Sequence, residues 1–290
     1  MNTLKDKSCI VGISETDYSK NSGRSEMRLA LESIKSACDD AGISPKEIDG
    51  IVRFSVDSNQ VDEMARNLGI ENLRFFPEVF FGGGAGCGTV QMAAMAVALG
   101  KAKYVVAFRA LNERSGFRYG QMAMAMPMMG HFQYSIPFGL MAPGSMVAVM
   151  AVRHMHLYGT KTTDFGEVAV AFRKHANKNP KAMMHSKTLT LEEHANARML
   201  AYPLRLFDYC QETDGAAAVI VTSPDRAKHL KQKPVYIMAA EQGTGSWMEM
   251  MTSYQRKNIA DLEEYTRLAP HLWKEAEIGP KDIDCAQIYD

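Results

Sequence analysis

Apolar positions along this chain begin as a continuous run and then change to a helical rhythm. "SCIVGI" (residues 8–13) has the continuity of a buried strand. In "SEMRLALESIKSACDDAG" (25–42) the apolar residues Met27, Leu31, Ile34 and Cys38 recur every three or four positions, which predicts a helix ended by Gly42. "DGIVRFSV" (49–56) predicts a second strand and "QVDEMARNLGI" (60–70) a short helix. Strand, helix and strand in that order predict a parallel α/β layer. A glycine-rich turn in "FFGGGAGCGT" (80–89) then opens a helix over 87–100. Val90, Ala94 and Val97 mark one face of it and Met92, Met95 and Leu99 another, so it is expected to be buried nearly all round. "KYVVAFRA" (103–110) predicts the next strand.

From Leu111 to Pro203 the alternation stops, and Met-, Gly- and Pro-rich loops surround one clear helix over 145–158. A segment of that kind is expected to be a lid or substrate-covering insertion. "DGAAAVIVTS" (214–223) and "KPVYIMAAEQG" (233–243) resume as strands, separated by the helical turn "PDRAKHL". The expected division is therefore an N-terminal half over 1–110, an inserted loop subdomain over 111–203, the end of the first half over 204–245, and the start of a second half over 246–290. The second half is inferred from a repeat. "AGISPKEIDGIV" (41–52) returns as "AEIGPKDIDCAQI" (276–288), each closing a helix and opening a strand. Recurrence of Pro-Lys-acid-Ile-Asp in one structural slot predicts a duplicated fold whose second copy is incomplete here.

Composition narrows the function. Lys plus Arg and Asp plus Glu both number 33, so the net charge is zero and nucleic acid is not expected as the partner. No apolar run approaches the roughly 20 residues that cross a bilayer. Five cysteines without paired spacing are expected to be reduced thiols of a cytoplasmic protein. No CxxC or HExxH occurs, and "HMH" (154–156) has the wrong spacing for two ligands on a helix, so no metal is expected.

The glycine turn carries the candidate chemistry. A Gly-rich turn at a helix N-terminus offers backbone N–H groups and the positive end of the macrodipole to an anion. "GGGAGCGT" (82–89) lacks the Lys-Ser/Thr of a P-loop and does not complete G-x-G-x-x-G. An oxyanion developing on a thioester fits Gly82, Gly83 and Gly84 better. Glycine kept only for close helix packing is the alternative. Cys87, at the helix N-terminus, is either a thiol activated as a nucleophile or a small packing residue. Tyr289, in the closing "QIYD", ends a predicted strand where active-site side chains gather in α/β sheets, or is structural. The cations of "FRKHANKNP" (172–180), Arg173 and Lys174 among them, form either a solvated face or a site for acyl-carrier phosphates.

The turn and its helix, "YVVAFRALNERSG" (104–116), "HMHLYG" (154–159), "DFGEVAVAFRKHANKNPKA" (164–182), "PLRLFDYCQETDGAAAVIVTS" (203–223) and "IYD" (288–290) together resemble the thiolase superfamily. The likeness is nearest to its sterol-carrier-protein or lipid-transfer-protein branch. Within it, "ISETDYSKNSGRSEMRLA" (13–30), "NERSGFRYGQ" (112–121) and "FDYCQETDGA" (207–216) are similar to the steroid side-chain-cleaving aldolases. The resemblance implies a thiolase-like duplicated five-layer α-β-α-β-α fold whose second half is truncated here. Thiolases carry their nucleophilic cysteine at the start of the buried helix. Aligning Gly86 and Gly100 without gaps puts Gly83 at that position, with Cys87 a helical turn further on and facing packing. The resemblance therefore implies carbon–carbon cleavage without an acyl-enzyme. A base takes the proton of a tertiary 17-hydroxyl on a steroid acyl-CoA, a 17-ketosteroid leaves, and the enolate of propionyl-CoA is held as an oxyanion and then protonated.

Tyr289 stands where thiolases place Asn or His and is implied as the base, with Arg118, Arg173 and Lys174 as candidates for the CoA phosphates. The chain carries no cofactor of its own on this reading; coenzyme A arrives with the substrate. A homodimer and a small OB-fold partner with a zinc ribbon are also implied. Family members run on for roughly a hundred residues beyond this chain on the duplication argument. The alternatives are a sterol-carrier-type thiolase or acyltransferase using Cys87, and a non-catalytic acyl-CoA-binding subunit.

Overall fold

A computed structural model describes residues 4–80, 86–121, 130, 132–249, 251 and 253–288. Strand β1 (Cys9–Glu15) leads into α1 (Glu26–Ala41), which Ser25 caps by accepting the Arg28 N–H. Strand β2 (Gly50–Phe54), α2 (Val61–Leu68), β3 (Glu78–Val79), α3 (Gly86–Ala98) and β4 (Tyr104–Asn112) follow. Between β4 and β7 (Asp214–Thr222) lie α4 (Phe132–Ser135), α5 (Pro143–Tyr158), α6 (Thr162–Ala176), α7 (Leu191–Asn196) and the strands β5 (Met199–Ala201) and β6 (Leu204–Arg205). The chain continues through α8 (Pro224–Ala227), β8 (Val235–Tyr236) and α9 (Glu263–Ala276).

Six strands form one sheet in the order β3-β2-β4-β7-β1-β8. β2 pairs in parallel with β3 and β4, whereas β7 runs antiparallel to both β4 and β1. β1 and β2 do run in one direction, as the strand–helix–strand pattern predicts, but β4 and β7 lie between them and the sheet is mixed. Alternation along each strand sends side chains to opposite faces. Val106, Phe108 and Ala110 of β4, with Ala216, Ala218 and Ile220 of β7, pack against Leu29, Ile34 and Ala37 of α1. Val105 and Ala107 of β4, with Val221 of β7, pack against Ala93, Ala94 and Val97 of α3. The result is three layers, α–β–α.

Two expectations are corrected. The strand expected over 233–243 is reduced to Val235–Tyr236, an outer strand that pairs with Ile10 and Cys9, with Ile237 adding backbone bonds to Ser8 and Asp6. The α3 helix buries one face, not its whole circumference: Met95 remains 37 % exposed, and Leu99, just past the helix end, 62 %. The repeat has a structural counterpart in the helix end and the turn after it, but the strand expected to open in the second copy is not formed over 283–288. Gly42 ends α1 in the left-handed region at φ 79° and Glu277 ends α9 there at φ 58°. A single 3₁₀ turn follows each, over Pro45–Glu47 and Pro280–Asp282, and the acid closing it accepts the N–H three residues back, from Ser44 and Gly279. Among the described residues no single helix is long and apolar enough to cross a membrane.

Candidate active site

The parallel strands β2, β3 and β4 end on one edge of the sheet, the edge where ligands bind in open α/β folds. The α3 N-terminus, reached from β3, opens on that edge, and the β4 C-terminus meets the start of β7 there. Gly82, Gly83, Gly84 and Tyr289 lie outside the described residues. Cys87, expected to face packing, is instead exposed as the second residue of α3. Thr89 folds back so that its hydroxyl donates to Gly86 O at 2.6 Å. From the far end of the chain, Gln242 Nε2 donates to Phe80 O at 3.0 Å. The Gln242 amide also lies on Gly88, where a Cβ would stand 2.5 Å from its Oε1.

At the β4–β7 end, the two motifs that set this sequence apart are joined by carboxylates. Glu212 accepts Arg118 Nε at 2.5 Å and the Gly120 N–H at 2.9 Å. Asp214, fully buried, accepts the N–H groups of Ser22, Arg114 and Ser115 and the Ser115 hydroxyl. Burial pushes its carboxyl upward, but these bonds outweigh burial and hold it below the usual carboxylate range. Glu113 behaves oppositely. Burial raises it, the Arg109 charge opposes, and the nearby Glu212 and Asp214 charges raise it further. Arg109 stacks over Phe54 at 4.8 Å and bonds Tyr119, whose phenol burial pushes up. Asp57 closes the β2 end by accepting the N–H groups of Ala110 and Asn59.

Other sequence-derived candidates fall elsewhere. Arg173, on α6, stacks over Phe207 at 5.9 Å and donates to Thr188 O at 3.1 Å. Lys174 is exposed beside it. No described contact joins either to the glycine turn, and Arg118 is engaged by Glu212. Below α6 the buried His194 meets Asp208 through Nε2 at 2.6 Å, and the other Asp208 oxygen accepts the Arg205 N–H at 2.6 Å. Cys9 and Cys38 are buried, which pushes their thiols up to about 11 and about 12. Glu113, Glu212, Asp214 and Gln242 were not singled out by the sequence reading, although the first three stand inside the two motifs it identified as specific.

A mixed six-stranded sheet flanked by α1 and α3, with a long excursion before β7, is the first half of a thiolase-type fold. The match to an SCP2-thiolase-like protein type 1 from Mycobacterium smegmatis shows this at the level of fold, with a TM-score of 0.75, 20 % identity, and cover of 98 % of this chain and 59 % of that one. The chain belongs to the steroid side-chain-cleaving aldolases of the thiolase superfamily. It is 48 % identical to the 17-hydroxy-3-oxo-4-pregnene-20-carboxyl-CoA lyase of Mycobacterium tuberculosis, over 99 % of this chain and 76 % of the relative. It is 46 % identical to the steroid side-chain-cleaving aldolase of Thermomonospora curvata, over 100 % of this chain and 75 % of the relative. A solved structure described as an Ltp2-ChsH2(DUF35) aldolase superposes with a TM-score of 0.90 at 45 % identity, covering 97 % of this chain and 72 % of that one. No protein-family model matches the chain.

Proposed function

We propose that this chain is a carbon–carbon lyase that cleaves the side chain of a 17-hydroxy steroid acyl-CoA by retro-aldol chemistry. The observation that carries the reading is 48 % identity across 99 % of the chain to a lyase named for such a thioester. In the proposed reaction a base takes the 17-hydroxyl proton, and the C17–O bond becomes a carbonyl as the adjacent C–C bond breaks. The electron pair moves onto the thioester as an enolate, whose protonation gives propionyl-CoA beside the 17-ketosteroid. Tyr289 is the proposed base, and the N–H groups of the turn at Gly82, Gly83 and Gly84 are the proposed cradle for the enolate oxygen. Gly83 supplies no thiol, so no acyl-enzyme is required.

Lys174, which is exposed, is the better proposed contact for the CoA phosphates, with Arg173 beside it, whose charge has backbone carbonyls and the Phe207 ring for neighbours where Arg118 has the Glu212 carboxylate. The similar solved structure contains a ChsH2(DUF35) component, and we infer a partner of that type for this chain. A small OB-fold with a zinc ribbon is the proposed form of that partner, and a homodimer the proposed state of this chain. The test is product analysis with a 17-hydroxy steroid acyl-CoA, partner included. Equimolar 17-ketosteroid and propionyl-CoA are expected. Tyr289→Phe is expected to lower kcat by about 10²-fold, as for a lost acid–base group. Cys87→Ala is expected to leave turnover near wild type. Loss of turnover in Cys87→Ala with retention in Tyr289→Phe would replace this reading by the acyltransferase one.

A further inference from the structure

We propose that Gln242 is a positioning residue that clamps the two ends of the glycine turn. One carboxamide touches both sides of it. Its Nε2 donates to Phe80 O at 3.0 Å, just before the turn. Its flat face lies on Gly88, in the first turn of α3, where a Cβ would stand 2.5 Å from Oε1, 2.7 Å from Cδ and 3.2 Å from Nε2. Only a residue without a side chain leaves room for that amide. The Gln242 side chain is exposed, so burial does not explain why it is held there. The preceding stretch explains its delivery: Ile237 and Ala240 pack into the core on the α3 side of the sheet, which brings Gln242 to the helix N-terminus.

Ordering an exposed glutamine costs side-chain entropy, so one surface bond adds little to global stability. What it fixes is the separation of Phe80 from Gly88, the two described residues that flank the proposed cradle at Gly82, Gly83 and Gly84. Donors aimed at a developing oxyanion lower the barrier only when held in place beforehand. The consequence for catalysis rests on the proposed role of the turn as the enolate cradle; the clamp itself does not.

Hydrogen exchange of the peptide spanning 80–92, read beside steady-state kinetics on the steroid acyl-CoA, separates the two. Gln242→Ala is expected to speed exchange there about five-fold, the factor of one net hydrogen bond, with strands β4 and β7 unchanged. Gln242→Glu, which cannot donate, is expected to match it. Gly88→Ala supplies the coupling test. Alanine improves helix propensity, so in the Gln242→Ala background it is expected to slow exchange about five-fold. In the wild type, displacement of the amide offsets that gain, and little net change is expected. Unchanged exchange in Gln242→Ala, or an equal effect of Gly88→Ala in both backgrounds, would overturn the clamp. With the clamp standing, kcat is expected to fall in Gln242→Ala while KM stays near wild type, because the enolate exists only along the reaction. Faster exchange with unchanged kcat would leave the clamp intact and overturn the catalytic role of the turn.

Discussion

Replacing Asp214 by Asn tests the joint that holds the two signature motifs together. One Asp214 oxygen accepts the Arg114 and Ser115 N–H groups at 2.9 and 3.0 Å. The other accepts the Ser22 N–H at 2.9 Å and the Ser115 hydroxyl at 2.6 Å. Every position around the carboxylate is thus a donor, and three of the four are backbone groups that cannot turn away. Whichever way an asparagine amide is placed, its NH₂ faces at least one backbone N–H. The charge-assisted bond lost is worth about 1.5–3 kcal/mol, and the orphaned donor adds about 1–3 kcal/mol. About 3 kcal/mol is a conservative sum. A chain of 290 residues unfolds with an entropy of about 0.6 kcal/mol/K, so Tm should fall by about 5 °C at neutral pH.

The pH dependence has a definite sign. The folded Asp214 carboxyl lies below its unfolded value, which is near 3.9. Its contribution is therefore complete above that value and is lost as pH falls through the folded one. The Tm gap between wild type and Asp214→Asn should be constant near neutrality and shrink in acid below about pH 4. Scanning calorimetry across that range checks both statements. A neutral-pH gap under about 1 °C, or one that widens in acid, would refute the reasoning.

Asp208→Ala should free the buried His194 and leave the Arg205 N–H without its acceptor, costing about 2–3 kcal/mol. Calorimetry reads the loss, and faster hydrogen exchange in α7 and the 204–209 stretch, without a change in β2, locates it. Arg118→Gln removes the ion pair with Glu212 but leaves the Gly120 N–H bond to it, and Arg118 is partly exposed. A cost below about 1 kcal/mol is expected, with KM for the CoA thioester unchanged. A rise in KM instead would return Arg118 to the phosphate contacts.

The framework was legible because its signals are local. The helical spacing in α1 and the apolar runs of β1, β4 and β7 each sit in one short stretch, and Gly42 ends α1 where expected. Pairing is not local. Nothing within "DGAAAVIVTS" says that β7 runs against β4 and parts it from β1. β3 went unread because only Glu78 and Val79 pair, beside a proline. Val235 and Tyr236, 63 % and 48 % exposed, show how an apolar run can lie along the rim of a sheet.

The same contrast governs the site. The glycine turn and Cys87 announce themselves by composition. Asp214 acquires its meaning from Arg114 and Ser115, about a hundred positions away in sequence, and Gln242 from Phe80, 162 positions away. An acid or an amide at a loop end looks like a solvated residue until the fold supplies its donors. The "SPKEID" repeat was the exception, since both copies carry their own capping acid, Glu47 and Asp282, within the stretch that repeats.

The central claim is that cleavage proceeds by proton transfer with no thioester on the protein. Intact-mass spectrometry of the protein quenched during turnover of the 17-hydroxy steroid acyl-CoA measures that directly. The account predicts an unmodified protein mass at every time point while 17-ketosteroid accumulates. A transient increase equal to the acyl group, lost on thioester cleavage by hydroxylamine, would contradict it.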